Sequence, residues 1–575
     1  MEIEKIRHSL SHILAAAVLK LYPGNKLGIG PAIENGFYYD FDLAETLNPK
    51  DLSKIEENMH QIINGDYIFE KRIVSQKETN ELFKNEPYKT ELINELKDEE
   101  ISVYDLKDAK TGEVIFADLC AGPHIESTKD LKNIGWKLDK IAGAYWRGDE
   151  KNKMLQRVYG LAFETKEELQ QYLVQREEAE KRDHRKLGKE LGLFVFSDLV
   201  GPGLPLYTEK GTILRNVIAN YSRELRKEIG YGEVQTPQIN KAELFKVSGH
   251  YDKYKDDMFE VHSHYTDEEY YLKPMNCPQH TQIYASVMRS YRDLPVRIAD
   301  FSMLYRDEKP GELNGLTRLR SFSQDDGHCF CREDQIKEEF SNILKSIEKA
   351  MKRYEMNYYI RLSLRDENKK EAYLGDDEVW EKSQAMLEDL LKENKIDYIK
   401  AEGEAAFYGP KMDLMAKDSL GRQWQLSTIQ IDFNMPKRFS LEYTSEDGSK
   451  KTPVMIHSAF VGSPERFMGV LIEHYAGAFP SWLAPVQVVV LPVSEKHLGY
   501  AREVSKKLKD EDIRLEIDER NESVGKKIRD AELQKVPYII VVGDKEVESG
   551  KLAVRKRGVK ELNELTFEDL IKEIK

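Results

Sequence analysis

Residues able to do chemistry concentrate in a few stretches of this 575-residue chain. One runs from Arg297 to Cys331, RIADFSMLYRDEKPGELNGLTRLRSFSQDDGHCFC. Its spacing predicts a strand, a charged loop with the turn formers Pro310, Gly311, Asn314 and Gly315, and a return strand. In the return run Thr317, Leu319, Ser321, Ser323 and Asp325 alternate with Arg318, Arg320, Phe322, Gln324 and Asp326. One face then carries two arginines, an aromatic ring, an amide and a carboxylate. Such a face suits gripping a phosphate with Arg306 and Arg318 and stacking a base on Phe322. A hairpin with a solvated polar face has the same alternation.

His8 and His12 stand at i and i+4 of an apolar-periodic run, so they share a helix face. Cys120 and His124 are again four apart, around Gly122-Pro123. Together they suit a zinc quartet or a hydrolytic pocket in which imidazoles position water; the residue types leave both open. His457 to Phe467, HSAFVGSPERF, predicts a strand and then a helix, with Ser463 as N-cap and Pro464 at the first helical position. Arg466 then lies in the first turn, where a cation opposes the helix dipole. A bound phosphate near that helix start accounts for it.

The elements that must position these groups imply three or four domains, since 575 residues exceed one core. Hydrophobic content of 40%, charged content of 33% and a net charge of -15 suit a globular protein and exclude nonspecific coating of nucleic acid. Four cysteines are too few for a disulfide framework and suit a reducing, cytoplasmic compartment. The first residues lack a signal-peptide pattern, and no run approaches 18 apolar residues. The periodicity predicts a helix over 6–21 and one unbroken polar connector helix over 166–191. Ala142 to Phe163 mixes aromatics with Arg147, Lys151, Lys153 and Arg157, as a nucleic-acid surface or a solvated edge does. A second domain opens near Gly192, with a helix over 211–229, a strand over 231–235 stopped by Pro237, helices over 334–354 and 377–393, and a strand over 425–433 that puts Thr428 and Gln430 on one face. From Pro485 short strands and helices alternate, predicting a compact doubly wound α/β domain without a glycine-rich phosphate fingerprint.

A helix leading to a strand that ends in proline, an Arg-x-Glu hairpin with distal Arg and Phe, and a strand feeding an Arg-bearing helix resemble motifs 1, 2 and 3 of class II aminoacyl-tRNA synthetases. Within that class the chain resembles the threonyl-tRNA synthetase family, through HSLSH, DLCAGPH, AGAYWRGDEKNKMLQR, RDHRKLGKEL, LKPMNCP, FSQDDGHCF, AFYGPK and GDKEVESGKLAVR. The resemblance implies a multidomain α+β and α/β chain. An α+β editing domain spans 1–164, a helical linker 165–190, an antiparallel-sheet catalytic domain 191–482 and an α/β anticodon-binding domain 483–575. The family usually carries a further small N-terminal domain, expected here to be absent or removed.

The same resemblance assigns residues. Cys277, His328 and His457 match ligands of one zinc ion, to which threonine binds through its amino group and hydroxyl. A hydroxyl requirement rejects valine, which an apolar pocket separates poorly. Asp326 would hold that hydroxyl, Gln324 would line the pocket, and Thr428 and Tyr408 would lie beside it. Arg306 would meet the α-phosphate of ATP, Glu308 the adenine amine and Phe322 the ring. Arg318 and Arg466 would meet the outer phosphates, with Gln430 and Lys411 nearby and Mg²⁺ accompanying ATP. His250 matches a histidine that assists transfer to the tRNA ribose. His8, His12, Cys120 and His124, with Asp118 and Lys89, would hydrolyse mischarged Ser-tRNA by a water-based route, with zinc left open. Asn521, Arg529, Glu546 and Arg555 match anticodon-contacting positions. The implied partners are tRNA(Thr), ATP, threonine and a second copy in a homodimer. Three features depart from the family: Tyr305 replaces a histidine, Gln279 replaces a glycine, and the loop GELNGLTRLR differs.

Overall fold

A computed structural model describes residues 2–96 and 101–575. They form two compact units, Met1–Glu177 and Glu178–Lys575. Among the described residues no helix is long and apolar enough to cross a membrane.

In the first unit the helix Glu2–Leu21 buries Leu10, Ile13, Leu14 and Val18 completely. They pack against Ile55 and Met59 of the helix Pro49–Asn64 and against Phe37, Tyr39 and Phe41 of the strand Gly36–Asp42. That strand sits in an antiparallel sheet ordered Lys26–Leu27, Gly36–Asp42, Met154–Phe163, Gly135–Tyr145, with Ala32–Ile33 also paired to Gly36–Asp42. A Cβ on Gly36 would lie 1.9 Å from the Gly160 carbonyl oxygen, so this crossing requires glycine. A separate antiparallel sheet, Tyr67–Val74, Ile101–Asp108 and Val114–Leu119, carries Asp118 and leads into Cys120. In the basic stretch 142–163, Arg157 pairs with Asp40, Lys153 with Asp42, and Arg147 with Glu91 and Glu95. Most of its positive charge is therefore engaged inside the unit.

The second unit is built on an eight-stranded sheet in the order Gly232–Glu233, Val296–Asp300, Asp326–Cys331, Val454–Ala459, Gln423–Asp432, Lys411–Lys417, Asn357–Leu364, Tyr398–Glu402. Its interior pairs are antiparallel and its two outermost pairs parallel. One face, with Cys329, Cys331, Ile429, Ile431 and Ile456, forms a core with the helices Glu209–Glu228, Ile336–Arg353 and Pro464–His474. The other face is free to carry polar groups. Toward the C-terminus a five-stranded sheet runs Leu515–Ile517, Val488–Pro492, Tyr538–Val542, Leu552–Lys556, Asn563–Leu565. Val488 and Val490 face the helices Leu498–Asp510 and Phe567–Ile574, while Val489 and Leu491 face Ala531 of the helix Val524–Leu533.

The fold class read from the sequence stands, and four local expectations change. The connector helix is not continuous: it splits into Lys166–Arg182 and His184–Glu190. Asp183 leaves helical space at φ -48°, ψ 121°, and its carboxylate accepts from Arg185 N at 2.7 Å, capping the second helix. His184, the first residue after the break, is buried. The return strand of the Arg297–Cys331 hairpin is likewise broken, into Ser321–Ser323 and Asp326–Cys331. The strand before Pro237 is only Gly232–Glu233. The C-terminal domain adds the antiparallel strands Leu552–Lys556 and Asn563–Leu565 to its parallel core.

Candidate active site

Strand register builds the site. His328 lies opposite His457, His457 opposite Gln430, and Gln430 opposite Lys411, a row across four adjacent strands. Residues two positions along each strand share the face, so Asp326 and Thr428 follow His328 and Gln430. Cys277 arrives at the start of the helix Cys277–Ala285.

Cys277, His328 and His457 are all buried, and one donor atom of each lies within 4.8 Å of the others. His457 Nε2 is 3.0 Å from Asp432 Oδ2, which places its proton there and leaves Nδ1 as a lone pair. That Nδ1 meets His328 Nε2 at 2.9 Å. His328 Nδ1 in turn meets His280 Nδ1 at 2.7 Å. Burial, with His457 and His280 adding to it, pushes His328 well below the usual imidazole range, so it is a neutral donor. Burial pushes the Cys277 thiol well up, with Asp326 and Asp432 adding to it. A thiol in that setting ionises when a cation binds. The donor set S, N, N, with a carboxylate behind His457, fits tetrahedral zinc, whose ligand atoms stand about 3.3–3.7 Å apart. Asp326 accepts from Asn276 Nδ2 at 3.1 Å and lies 3.7 Å from His328 Nε2.

The trio opens into a cavity of about 610 Å³ that also takes in Arg306, Glu308, Arg318, Phe322, Gln324, Asp326, Tyr408, Lys411, Thr428, Gln430 and Arg466. The Arg306 guanidinium lies over the Phe322 ring at 5.2 Å. Arg466 Nε is buried without an acceptor. Burial lowers Arg466 from its ordinary value, and the nearby Arg318 and Arg306 charges lower it further. Three cations thus converge on one wall. Glu308 does not stand free: its carboxylate accepts from Arg318 Nε at 2.8 Å, and Glu312 holds the Arg318 Nη2 at 2.7 Å. Arg320 is a correction. It was expected on the cavity face, but it turns back to donate to the Glu308 carbonyl, because the strand pairs only from Ser321. Tyr408 donates to Gln430 Oε1 at 2.5 Å and stacks on His457 at 4.8 Å. Gln430 Nε2 donates to Thr428 Oγ1 at 3.2 Å, and Lys411 Nζ is 3.0 Å from Asp413 Oδ2.

His250 is buried at the start of the helix His250–Tyr254. Its Nδ1 faces Ser248 Oγ at 2.8 Å, and its Nε2 faces Met275 Sδ at 3.1 Å and Cys277 Sγ at 3.7 Å. Burial, with the charges of His457 and Arg306, takes it down to about 3.

In the first unit His8, His12, Cys120 and His124 do come together. Cys120 Sγ lies 3.3 Å from His8 Nε2 and 3.4 Å from His124 Nε2. Ser9 was not singled out from sequence. Its Oγ accepts from Ile125 N at 3.1 Å, so its own proton can go to His124 Nδ1, also at 3.1 Å. His124 then carries its proton on Nε2, toward Cys120. Burial lowers all three histidines and raises Cys120 to about 11. Asp118 is claimed from two sides, by Lys89 Nζ at 2.5 Å and by the Tyr39 hydroxyl at 2.6 Å.

Comparison with known proteins bears on both sites. Residues 259–475 match the family described as the tRNA synthetase class II core domain (G, H, P, S and T). Residues 487–575 match an anticodon binding domain, and residues 101–159 match the threonyl and alanyl tRNA synthetase second additional domain. The threonine–tRNA ligase of Gloeobacter violaceus is 49% identical, over 99% of this chain and 91% of that protein. The chain belongs to the threonine–tRNA ligase family. The ligase of Halalkalibacterium halodurans is 48% identical, over 100% of this chain and 88% of its own length. Among solved structures, the RNA binding domain of threonyl-tRNA synthetase from Cryptosporidium parvum Iowa II superposes with a TM-score of 0.65 at 38% identity, covering 68% of this chain and 97% of that one.

Membership of this threonine–tRNA ligase family makes the C-terminal residues interpretable. Asn521 and Arg529 are exposed. Glu546 and Arg555 are engaged: the Glu546 carboxylate accepts from Gly543 N at 2.7 Å, and Arg555 pairs with Glu532 at 2.5 Å. Sequence reasoning also missed the residues that hold the ligase's motifs together. Asp325 is fully buried and accepts from Arg226 Nε and Ser222 Oγ, each at 2.5 Å, and from Phe460 N at 2.8 Å. Glu465 accepts from Arg215 Nε at 2.7 Å and from Ser323 N at 2.9 Å. A signal for Asp325 was available: in the alternation of the return run it falls opposite the arginine face, and an aspartate turned to a core needs a buried donor, while Arg226 lies among Tyr221, Ser222 and Leu225.

Proposed function

We infer that the chain carries out its family's reaction. It activates threonine with ATP to threonyl-adenylate, transfers threonine to tRNA(Thr), and hydrolyses mischarged Ser-tRNA in the first unit. The observation that carries the first step is the convergence of Arg306, Arg318 and Arg466 beside Phe322, on a cavity shared with the Cys277–His328–His457 trio. Converging cations in a partly dry pocket stabilise a polyphosphate as charge moves onto the leaving pyrophosphate. In this reading Arg306 meets the α-phosphate, Arg318 and Arg466 the outer phosphates, and Phe322 the adenine. Glu308 orients Arg318, and it exchanges that contact for the adenine amine only when Arg318 turns to phosphate. Mg²⁺ enters with ATP. No side chain attacks: the threonine carboxylate does, and the protein's part is alignment.

Zinc held by Cys277, His328 and His457 would keep open positions for the substrate amino group and hydroxyl, which separates threonine from valine. Asp326 would accept a hydrogen bond from the hydroxyl, and Gln324, Thr428, Gln430, Tyr408 and Lys411 line the site. A transfer role for His250 requires its Nε2 to exchange Met275 for the ribose hydroxyl. Serine differs from threonine by one methyl, worth ~1–3 kcal/mol, so it escapes such a site. That error is what the neutral His8, His12 and His124 with Cys120, Asp118 and Lys89 would correct, as proton-transfer groups around a water. Exposed Asn521 and Arg529 read the anticodon, while Glu546 and Arg555 shape that surface. The functional division is 1–164, 165–190, 191–482 and 483–575. The exposed apolar side chains Val195, Phe196, Leu199, Val200 and Leu206 support a homodimer, and four free cysteines suit the cytoplasm.

ATP–pyrophosphate exchange with threonine, valine and serine tests this reading. Exchange with threonine, weaker exchange with serine and almost none with valine are expected. Absence of threonine-dependent exchange overturns it.

A further inference from the structure

The break at Asp183 places His184 where no assigned role uses it. The residue is 2% exposed, and its ring bonds to two elements that carry nucleotide-site arginines. Its Nε2 is 2.9 Å from the backbone N of Leu316. A backbone N–H only donates, so this ring nitrogen is a lone pair and the proton sits on Nδ1. Nδ1 faces Glu473 Oε1 at 2.6 Å, and the same oxygen accepts the His184 backbone N–H at 3.0 Å. Arg422 pairs with the second Glu473 oxygen. The tautomer is therefore set on both sides of the ring.

Both neighbours are shaped for this contact. Gly315 has φ +51°, and a Cβ there would lie 2.1 Å from His184 Nε2. Gly469, on the helix Pro464–His474, would place a Cβ 3.2 Å from Leu316 Cβ and 3.5 Å from His184 Cδ2. Leu316 and Thr317 line the cavity and lead directly into Arg318. Glu473 lies on the helix that bears Arg466 in its first turn. One imidazole thus joins the loop carrying Arg318 to the helix carrying Arg466.

We propose that His184 is a positioning residue for ATP, holding the Leu316–Arg318 segment in register with the helix Pro464–His474 so that Arg318 and Arg466 address one polyphosphate. This rests on the ATP reading of the cavity. Losing the acceptor leaves a buried N–H unsatisfied and frees the loop, which affects the outer phosphates and not the amino-acid end.

The test is threonine-dependent ATP–pyrophosphate exchange by the full chain, with KM measured separately for ATP and threonine. His184→Phe keeps the ring volume and removes both hydrogen bonds; KM for ATP is expected to rise about tenfold with KM for threonine within twofold. His184→Gln, whose amide oxygen can accept from Leu316 N, is expected to recover most of that loss. Gly315→Ala, which drives a methyl into the ring, should reproduce the ATP defect and covers the case in which His184→Phe fails to fold. Equal rises in both KM values, or an unchanged ATP KM in a variant with wild-type melting temperature, overturns the proposal. A wild-type chain without exchange defeats the ATP reading instead, a separate outcome.

Discussion

Two clusters in this chain use the same side chains, Cys277–His328–His457 in one unit and His8–His12–Cys120–His124 in the other, yet their surroundings differ in kind. Behind His457 stands the Asp432 carboxylate at 3.0 Å, and beside His328 stands Asp326. Among the described residues neither carboxylate is bonded to a lysine or arginine. In the other cluster the far nitrogen of His124 meets the neutral Ser9 hydroxyl. The nearest carboxylate, Asp118, stands 3.6 Å from His12 Nε2 but is already matched by Lys89 at 2.5 Å. A carboxylate behind an imidazole raises its basicity as a ligand and leaves negative charge for a cation to neutralise. A resident lysine supplies that positive charge itself. Residue types alone left both clusters open to zinc; the second layer of contacts is what distinguishes the proposed metal site from the proposed proton-transfer pocket.

The largest expected effect tests that separation directly. Cys277→Ser should release zinc, read as metal per subunit, and should lower threonine-dependent exchange on the order of 10³-fold. Cys120→Ser should leave the metal content untouched. Zinc retained in the first variant, or lost in the second, breaks the contrast. Next in size is His8→Ala. Deacylation of Ser-tRNA should slow by about 10²-fold, with threonine activation unchanged; equal deacylation rates remove the hydrolytic reading of the first unit.

Asp432→Asn probes the second layer alone. Asp432 Oδ1 accepts from the backbone N of Asn434 and of Met435, at 2.7 and 2.9 Å, which an amide oxygen can still do. The new amide N–H₂ then faces His457 Nε2 and can only donate, so the imidazole must turn its lone pair outward, away from the trio. Zinc affinity measured by chelator competition is expected to fall roughly 10–100-fold. An unchanged affinity would mean the carboxylate does not orient His457.

How far the sequence alone could carry these contrasts depends on the distance over which each signal acts. The helix Glu2–Leu21 and the Ser463 cap were readable because periodicity and capping are local. The alternation that pairs Thr428 with Gln430 was readable too, and register then extends it to His328 and His457. What failed depended on partners far along the chain. His184 broke a helix that propensity continued, because Glu473 and Leu316 bind it. Arg320 left its expected face because Glu308 offered a carbonyl. Asp325 went unnoticed because Arg226, 99 positions away, satisfies it. Cys277, His328 and His457 were assigned only through resemblance, since no spacing joins positions that distant.

The smallest expected effect concerns pH, and it isolates the lysine that distinguishes the two clusters. Burial is the main cause lowering His8 and His12 from the usual imidazole value of ~6.5. The Lys89 charge lowers both further. For His8, a bond to the Pro123 backbone and the Asp118 charge push the other way without winning. A lowered value means the neutral base persists as pH falls below ~6.5 and is lost only as pH falls through the lowered value. Ser-tRNA deacylation at pH 6 should therefore remain near its pH 7.5 rate, where a solvent-exposed histidine base would have lost most of its activity. Lys89→Met removes a cation and leaves the Asp118 charge unopposed, and both changes raise the histidines. The acid limb of the deacylation profile should move upward, while exchange at the other site keeps its profile. An acid limb that stays in place while the melting temperature holds would show that Lys89 does not set the charge state of this pocket, and the electrostatic half of the contrast would fall with it.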